Sequence, residues 1–402
     1  ALVVTIIVLI ILAGVTLNIV LDQNGIINKA QQATEDYDTA QREEQELLGV
    51  VEDYIEYAGK TAPIPEGYTK SQITTEDDVA EGVVIYEIPE GANVTWTDEE
   101  DENGKNISSI ILEGETEPKN LQETVNQYVW IPVNDINSMV MCRSNSGDSV
   151  CNLVYDADAD TLSCTNPDHS GTAIDLVGRL YTSSYVNTGN NIYSYIMDFT
   201  KRDQTYDESS YHEPNTVSSD ASNGLELSQL ESDFTTMAKS VAKNGGFYIS
   251  RYEVGNNGET KKGQTVLTAA SSNGTNYLGA NTWYGLYNTL RENNKPMIWG
   301  CQYDQVIKFT GEEAQIGHND RNLTTDGALS GQNELDKMKN IYDLEGNHME
   351  WTAGAYSTFA RARRGSNYSN AYHGLFYPAS VRGGGAPSSS YDYCSARSTL
   401  YL

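Results

Sequence analysis

The chain has 402 residues, and 26 Lys plus Arg stand against 56 Asp plus Glu, leaving a formal net charge of −30. That charge repels phosphate, so no nucleic-acid partner is expected, and the length alone predicts at least two structural units. With 27 Tyr and 34 Gly but only 6 Phe, the composition is that of a loop-rich, wet-surfaced extracellular protein; five scattered Cys exclude a disulfide-dense small scaffold and, with five His, count against a zinc framework.

Residues 1–21, ALVVTIIVLIILAGVTLNIVL, carry no charged side chain. As a helix they would reach about 30 Å, the thickness of a hydrocarbon core, so a bilayer span is expected. No basic n-region or small-residue cleavage site marks a signal peptide, and the absence of an initial Met leads to the expectation that a leader has been removed. From Gly25 onward, apolar residues recur at Ile26, Ile27, Ala30, Ala33, Tyr37, Ala40, Leu47, Leu48, Val51, Tyr54, Ile55 and Ala58, the three-and-four spacing of an amphipathic face. Residues 1–58 therefore read as one long helix with weak points at Gly14 and Asn24-Gly25.

This stretch, NGIINKAQQA in particular, resembles the mature amino terminus of type IV pilins in their Gram-positive form. The resemblance implies a half-helix that waits in the membrane and then packs with its copies as a filament core formed by Leu2, Val3, Ile6, Ile7, Leu9, Ile11, Leu12, Val15 and Leu17. One departure is Ala1, which stands where the family usually carries a Glu. A single-span anchor followed by a stalk helix is the competing reading.

Residues 60–126 open with the helix-stopping TAPIPEGY and continue in short alternating stretches at 83–86 and 107–112, a small β-rich connector. The acidic run 98–102 reads as a solvated hairpin tip. A buried strand is expected at 128–133. Cys142, Cys151 and Cys164 follow at spacings that fit no metal pattern and suggest a local disulfide among the three. Asp156, Asp158 and Asp160 alternate as in a calcium loop but lack its Gly and distal Glu, leaving calcium as a weak candidate and otherwise no cofactor. A helix is expected over 228–241, with Ser228 and Glu231 as a capping box and Leu230, Phe234, Met237, Ala238 and Val241 on one face. Then come a strand at 247–254, a helix at 282–290, a strand at 295–300 and a helix at 302–309.

The order YVWIPV, FYISRYEV, KPMIWGCQYDQVIKF, DLEGNHMEWT, Arg382-Gly383-Gly384 and Cys394-Ser395-Ala396-Arg397 resembles the formylglycine-generating-enzyme domain, a C-type-lectin-like fold, across 127–402. The resemblance implies that Asn347, Glu350, Trp351, Arg382 and Gly383 are scaffold. The family's oxidase chemistry needs two cysteines to hold copper. Cys394 matches the second, but Ser389 stands where the first would be, so the oxidase is rejected. His169, His212, His318, His348 and His373 form no sequence cluster for an iron site. No enzyme is expected.

Residues 356–402 hold seven Tyr, nine Ser and five Arg against one acidic residue, Asp392. Tyr supplies rigid amphipathic area at low entropic cost, while Ser and Asn adapt their hydrogen bonds. The expected ligand-binding face is Asn367, Tyr368, Asn370, Tyr372, His373, Tyr391, Asp392 and Tyr393. These runs also resemble the mutable stretch of variable proteins of diversity-generating retroelements, which use the same lectin-like fold; adenine-directed mutation of Asn codons yields the residue types found here.

The fold class expected is α+β: a long N-terminal helix (1–59), a β-rich connector (60–126) and a C-type-lectin-like head (127–402). The expected function is a subunit of an extracellular type IV pilus-like filament whose head displays an adhesive surface. Its partners would be copies of itself in a helical homopolymer, the membrane before assembly and an unknown surface ligand. The alternatives are a membrane-anchored enzyme or receptor and a pseudopilin of a secretion system.

Overall fold

The computed structural model describes residues 61–143, 150–164, 175–203, 213–268, 282–321, 327, 329–372 and 374–402. In chain order its framing elements are β1 (Thr69–Lys70), β2 (Val84–Tyr86), β3 (Gln127–Pro132), β4 (Leu153–Asp156), β5 (Thr161–Cys164), β6 (Tyr181–Gly189), β7 (Ile192–Arg202), α1 (Leu227–Asn244) and β8 (Gly246–Ser250). They continue with α2 (Trp283–Glu292), α3 (Gly300–Thr310), β9 (Met349–Ser357), β10 (Ala360–Arg364), α4 (Tyr368–Tyr372), β11 (Arg382–Gly385), β12 (Cys394–Ala396) and β13 (Thr399–Leu400).

All six residues of β3 are buried, which requires neighbours on both edges and cover on both faces. It lies at the centre of a five-stranded sheet, β1-β2-β3-β8-β13, in which every pair is antiparallel. On this sheet Val83, Ile85, Tyr128, Trp130, Tyr248 and Leu400 pack into one apolar cluster, with the Trp130 and Tyr248 rings 5.0 Å apart. β2 comes from the segment read as a connector, so that segment pairs directly with the head.

A second sheet, β11-β10-β9-β12, is antiparallel except for the parallel pair β9–β12. Arg397, fully buried just after β12, bridges the two sheets. Its Nε donates to Glu350 Oε1 on β9 at 2.8 Å, Nη1 to the Ser250 carbonyl at the end of β8 at 2.9 Å, and Nη2 to the Tyr342 carbonyl at 2.8 Å. Arg251 with Glu76, Arg361 with Asp220, and Arg364 with Asp304 form further buried pairs. Each sets a buried guanidinium against a carboxylate, which replaces part of the hydration it has lost.

α1 buries Leu230, Phe234, Met237, Ala238 and Val241 on one face, and Phe234 meets Trp299 edge-on at 5.0 Å. Gly245, at φ +73°, ends it in the left-handed conformation that glycine adopts without strain. The Ser228–Glu231 capping box does not form; the helix starts earlier, with Glu226 as N-cap and no side-chain cap bond. Pairing of the strand expected at 247–254 ends at Ser250. At 295–300 only Met297 makes a bridge, to Ser398, because α3 begins at Gly300. The Glu213 carboxylate takes the first free N–H groups of that helix, Gly300 at 2.7 Å and Cys301 at 2.9 Å.

The expected fold class is corrected by these elements. The described residues are mostly β, with short helices, and no long N-terminal helix is among them. The longest, α1, has 18 residues and exposes Ser228, Glu231, Thr235 and Lys243 on its outer face. The physical reason is the pattern of the sequence: among the described residues apolar side chains come mostly in short runs broken by Gly, Asn and Ser, and helical spacing is sustained only over 227–244, 283–292 and 300–310. The expected membrane-embedded stage is corrected with it, since no described helix is long and apolar enough to cross a membrane. The helix expected at 1–59, with Leu2 through Leu17 as its filament core, lies outside the described residues.

Candidate functional site

The turn leading into β9 places two non-glycine residues in the left-handed region, Asp343 (φ +59°) and Asn347 (φ +56°). Asn and Asp tolerate that region best, and both are tied down here. Asp343 Oδ2 accepts the Gly331 N–H at 2.6 Å, and Asn347 Nδ2 donates to Glu253 Oε2 at 2.5 Å. Glu253, fully buried, also accepts from Ser395 Oγ at 2.8 Å and from the His348 N–H at 3.2 Å. Three donors thus replace the water this carboxylate has lost. His348 is held in consequence. Its Nδ1 lies 3.5 Å from Glu253 Oε2, and its ring meets Tyr368 at 5.5 Å and 77°, an edge-to-face contact.

His348 and Tyr368 open onto a groove of about 520 Å³ completed by Asp392, Gln332, Gly327 and Thr268, with Thr265, Val266 and Leu329 beside them. Gly327, at φ +78°, runs so close to the imidazole that a Cβ there would fall 2.6 Å from His348 Cε1, so only glycine lets the wall and the ring coexist. The lining combines an aromatic ring and a carboxylate with hydroxyl, amide and imidazole groups, so it offers both hydrogen-bond donors and acceptors beside an apolar face.

The neighbours of Asp392 build a second feature. Tyr391 and Tyr393 lie 5.3 Å apart, and the Arg363 guanidinium sits 4.9 Å from the Tyr391 centroid, 5.4 Å from Trp351 and 6.0 Å from Tyr393. Arg363 Nη2 donates to the Gly384 carbonyl at 2.8 Å, which fixes the stack to β11. Behind it, burial pushes the Cys394 thiol up to about 12 against the opposing pull of Arg363, so the sulfur stays protonated at neutral pH.

The residues expected to form a binding face are placed as follows. Tyr368 and Asp392 line the groove, and Tyr391 and Tyr393 are half-buried against Arg363. Asn367 is buried and accepts the Asn370 N–H at 3.0 Å, while Asn370 Nδ2 donates to Ser366 Oγ at 3.2 Å; these two shape the α4 loop. The Tyr372 side chain and His373 lie outside the described residues. Of the calcium candidates, Asp156 accepts from the N–H groups of Asp158 and Ala159 at the β4–β5 turn. Asp160 accepts from Tyr155 Oη and pairs with Lys239, both at 2.6 Å. Among the described residues no three His, Cys, Asp or Glu are grouped to hold a metal. Cys164 is disulfide-bonded, and Cys301 and Cys394 are buried free thiols. Of the expected scaffold residues, Glu350 holds Arg397 and Arg382 holds Asp304 at 3.1 Å.

Sequence reasoning missed His348 as a groove residue, since it was one of five ungrouped histidines, and it missed Thr265, Thr268, Gly327 and Gln332. The one local signal was the Asn347-His348 pair inside the DLEGNHMEW block, where Asn347 takes the left-handed conformation immediately before His348.

No known protein-family profile matches the chain, and no curated protein matches it. Among solved structures it is similar to the Major Tropism Determinant U1 variant, at 14% identity and a TM-score of 0.31, covering 87% of this chain and 88% of that one. The P3c variant gives 14% identity and 0.31 over 85% and 84% of the two chains, and the M1 variant 12% and 0.29 over the same shares. Similarity at that level establishes neither fold nor function for this chain.

Proposed function

We propose that residues 61–402 form a non-catalytic extracellular binding domain that presents its C-terminal loops to a hydroxyl-rich surface ligand, a glycan. One observation carries the reading: Tyr368 and Asp392, from two loops separated by β11, converge with His348 in one open groove. The disulfide at Cys164 supports an oxidising compartment. The buried, protonated Cys394 thiol supports binding over catalysis. No cofactor is required. The loop from 386 to 393 spans between β11 and β12, whose frame is held by Arg363, Trp351 and Arg397, so its exposed side chains can change without disturbing the sheet. That separation of frame and loop is what a hypervariable binding face needs, and a template repeat near the gene, differing only at adenines, would support variation at these positions. Assembly through residues 1–21 has no support among the described residues and is not part of the proposal.

The test is binding of the 402-residue chain to an array of surface oligosaccharides, compared with Tyr368→Ala and Asp392→Ala. We expect saturable binding that each substitution weakens at least about 10-fold, the loss of one well-placed contact. Equal binding by wild type and both variants would refute the groove.

A further inference from the structure

A second pocket, sharing no residue with the groove, lies where the 60–126 segment meets the head. It encloses about 270 Å³, below the ~300–1,000 Å³ typical of drug-sized ligands, so an occupant must be small. Its charges are sorted by depth. On the inner side, three cations surround the Tyr342 ring: the Arg251 guanidinium 5.5 Å from its centroid, Lys262 Nζ 5.2 Å and Lys337 Nζ 5.7 Å.

Two of the three are answered by carboxylates. Arg251 Nη1 pairs with the buried Glu76 at 2.6 Å, and Lys262 pairs with Glu334 at 2.5 Å. Glu334 also accepts from Tyr342 Oη at 2.8 Å. Lys337 makes no ion pair among the described residues, and the buried Arg251 Nε–H has no acceptor among them. Burial and the neighbouring Arg251 lower the Lys337 pKa, against the weaker pull of Glu76 and Glu334. The entrance has the opposite sign, since Asp98 and Glu100 line the pocket and are exposed. Asp98 is fixed there by Thr74, whose N–H and Oγ1 donate to its two oxygens at 2.7 Å and 2.9 Å.

A cationic floor with one cation in no ion pair, beneath an anionic rim, offers both signs of charge to a small molecule carrying a carboxylate and an ammonium. We infer that this pocket binds a small zwitterion of the α-amino-acid type, its carboxylate received by Lys337 and Arg251 and its ammonium by Asp98 and Glu100. A simple anion would meet the rim carboxylates on entry, and a simple cation would leave Lys337 unanswered. The zwitterion satisfies both ends in one small volume.

Calorimetric titration of the 402-residue chain with L-alanine, acetate and ethylammonium tests this. We expect saturable L-alanine binding at least about 10-fold tighter than either singly charged probe, and an approximately 10-fold loss in both Lys337→Met and Glu100→Gln. Lys337 and Glu100 make no ion pair among the described residues, so the thermal midpoint should hold, and a preserved midpoint separates lost binding from lost folding. Acetate binding as tight as L-alanine, undiminished binding by Lys337→Met at an unchanged midpoint, or no saturable L-alanine binding at millimolar concentration would each overturn the inference. None of these results bears on the groove at His348.

Discussion

Removing Arg397 while leaving Glu350 in place should change how stability depends on pH as well as its size. Glu350 is fully buried, and burial raises its pKa from 4.5 to about 7 even though Arg397 pulls it down, with Glu253 adding to the rise and Tyr303 opposing it. An acid whose folded pKa lies above its unfolded value binds an extra proton in the native state between the two. Its contribution is therefore fully present at low pH and lost as pH rises from about 4.5 to about 7, after which the wild-type profile levels off. The span of that loss is about 3 kcal/mol, at roughly 1.4 kcal/mol per pK unit. In Arg397→Met the opposing charge is gone and the folded pKa moves higher still. Stability then keeps falling above about pH 7, at up to roughly 1.4 kcal/mol per pH unit, toward the ~3–5 kcal/mol deficit expected where a buried charge is left without its partner. Urea-unfolding midpoints of wild type and variant, measured from about pH 5 to about pH 8, follow that fall. The double variant Glu350→Leu/Arg397→Met should recover much of the loss, because no buried charge is left unpaired. Parallel pH profiles for wild type and Arg397→Met would refute the reasoning.

Two further substitutions test close approaches in the backbone. A Cβ at Gly354 would overlap Glu213 Oε1, the oxygen that accepts the Gly300 N–H at the start of α3, so Gly354→Ala should lower the thermal midpoint by an amount equivalent to ~2–4 kcal/mol, read by calorimetry. Gly327→Ala combines a positive φ with a clash against His348, and it should cost about 1–2 kcal/mol in urea unfolding while abolishing ligand capture in the groove; retention of full binding would show that the His348 wall takes no part in it.

How much of this was legible in the sequence differs by element. The β3 strand was readable because an unbroken apolar run bounded by polar residues can only be buried on both faces. α1 was readable because Leu230, Phe234, Met237, Ala238 and Val241 repeat at helical spacing. Its start was misread, since Ser228 and Glu231 have capping chemistry but the chain enters the helix before them. The strand expected at 295–300 is reduced to the single bridge of Met297 with Ser398, and its last residue opens α3, whose Gly300 N–H is accepted by Glu213, 87 positions earlier. The fold class itself was misjudged by giving residues 1–58 more weight than the short strands that follow.

The candidate site divides in the same way. Composition picked out the Tyr-rich, acid-poor C-terminal stretch, because side-chain chemistry is a local property that survives whatever the fold. It did not distinguish Asn367, which turns inward, from Tyr368, which lines the groove, since both sit in one polar run and burial alone separates them. The sequence by itself determined the negative net charge, the buried central strand, the amphipathic α1 and the chemical character of the C-terminal loops. Only the tertiary structure decided that Glu253, nearly a hundred residues before His348, would fix that imidazole, and that loops around 265, 327, 348, 368 and 392 would meet in one groove. Propensity and periodicity act over a few residues, whereas a groove is set by which strands pair and where buried charges find partners.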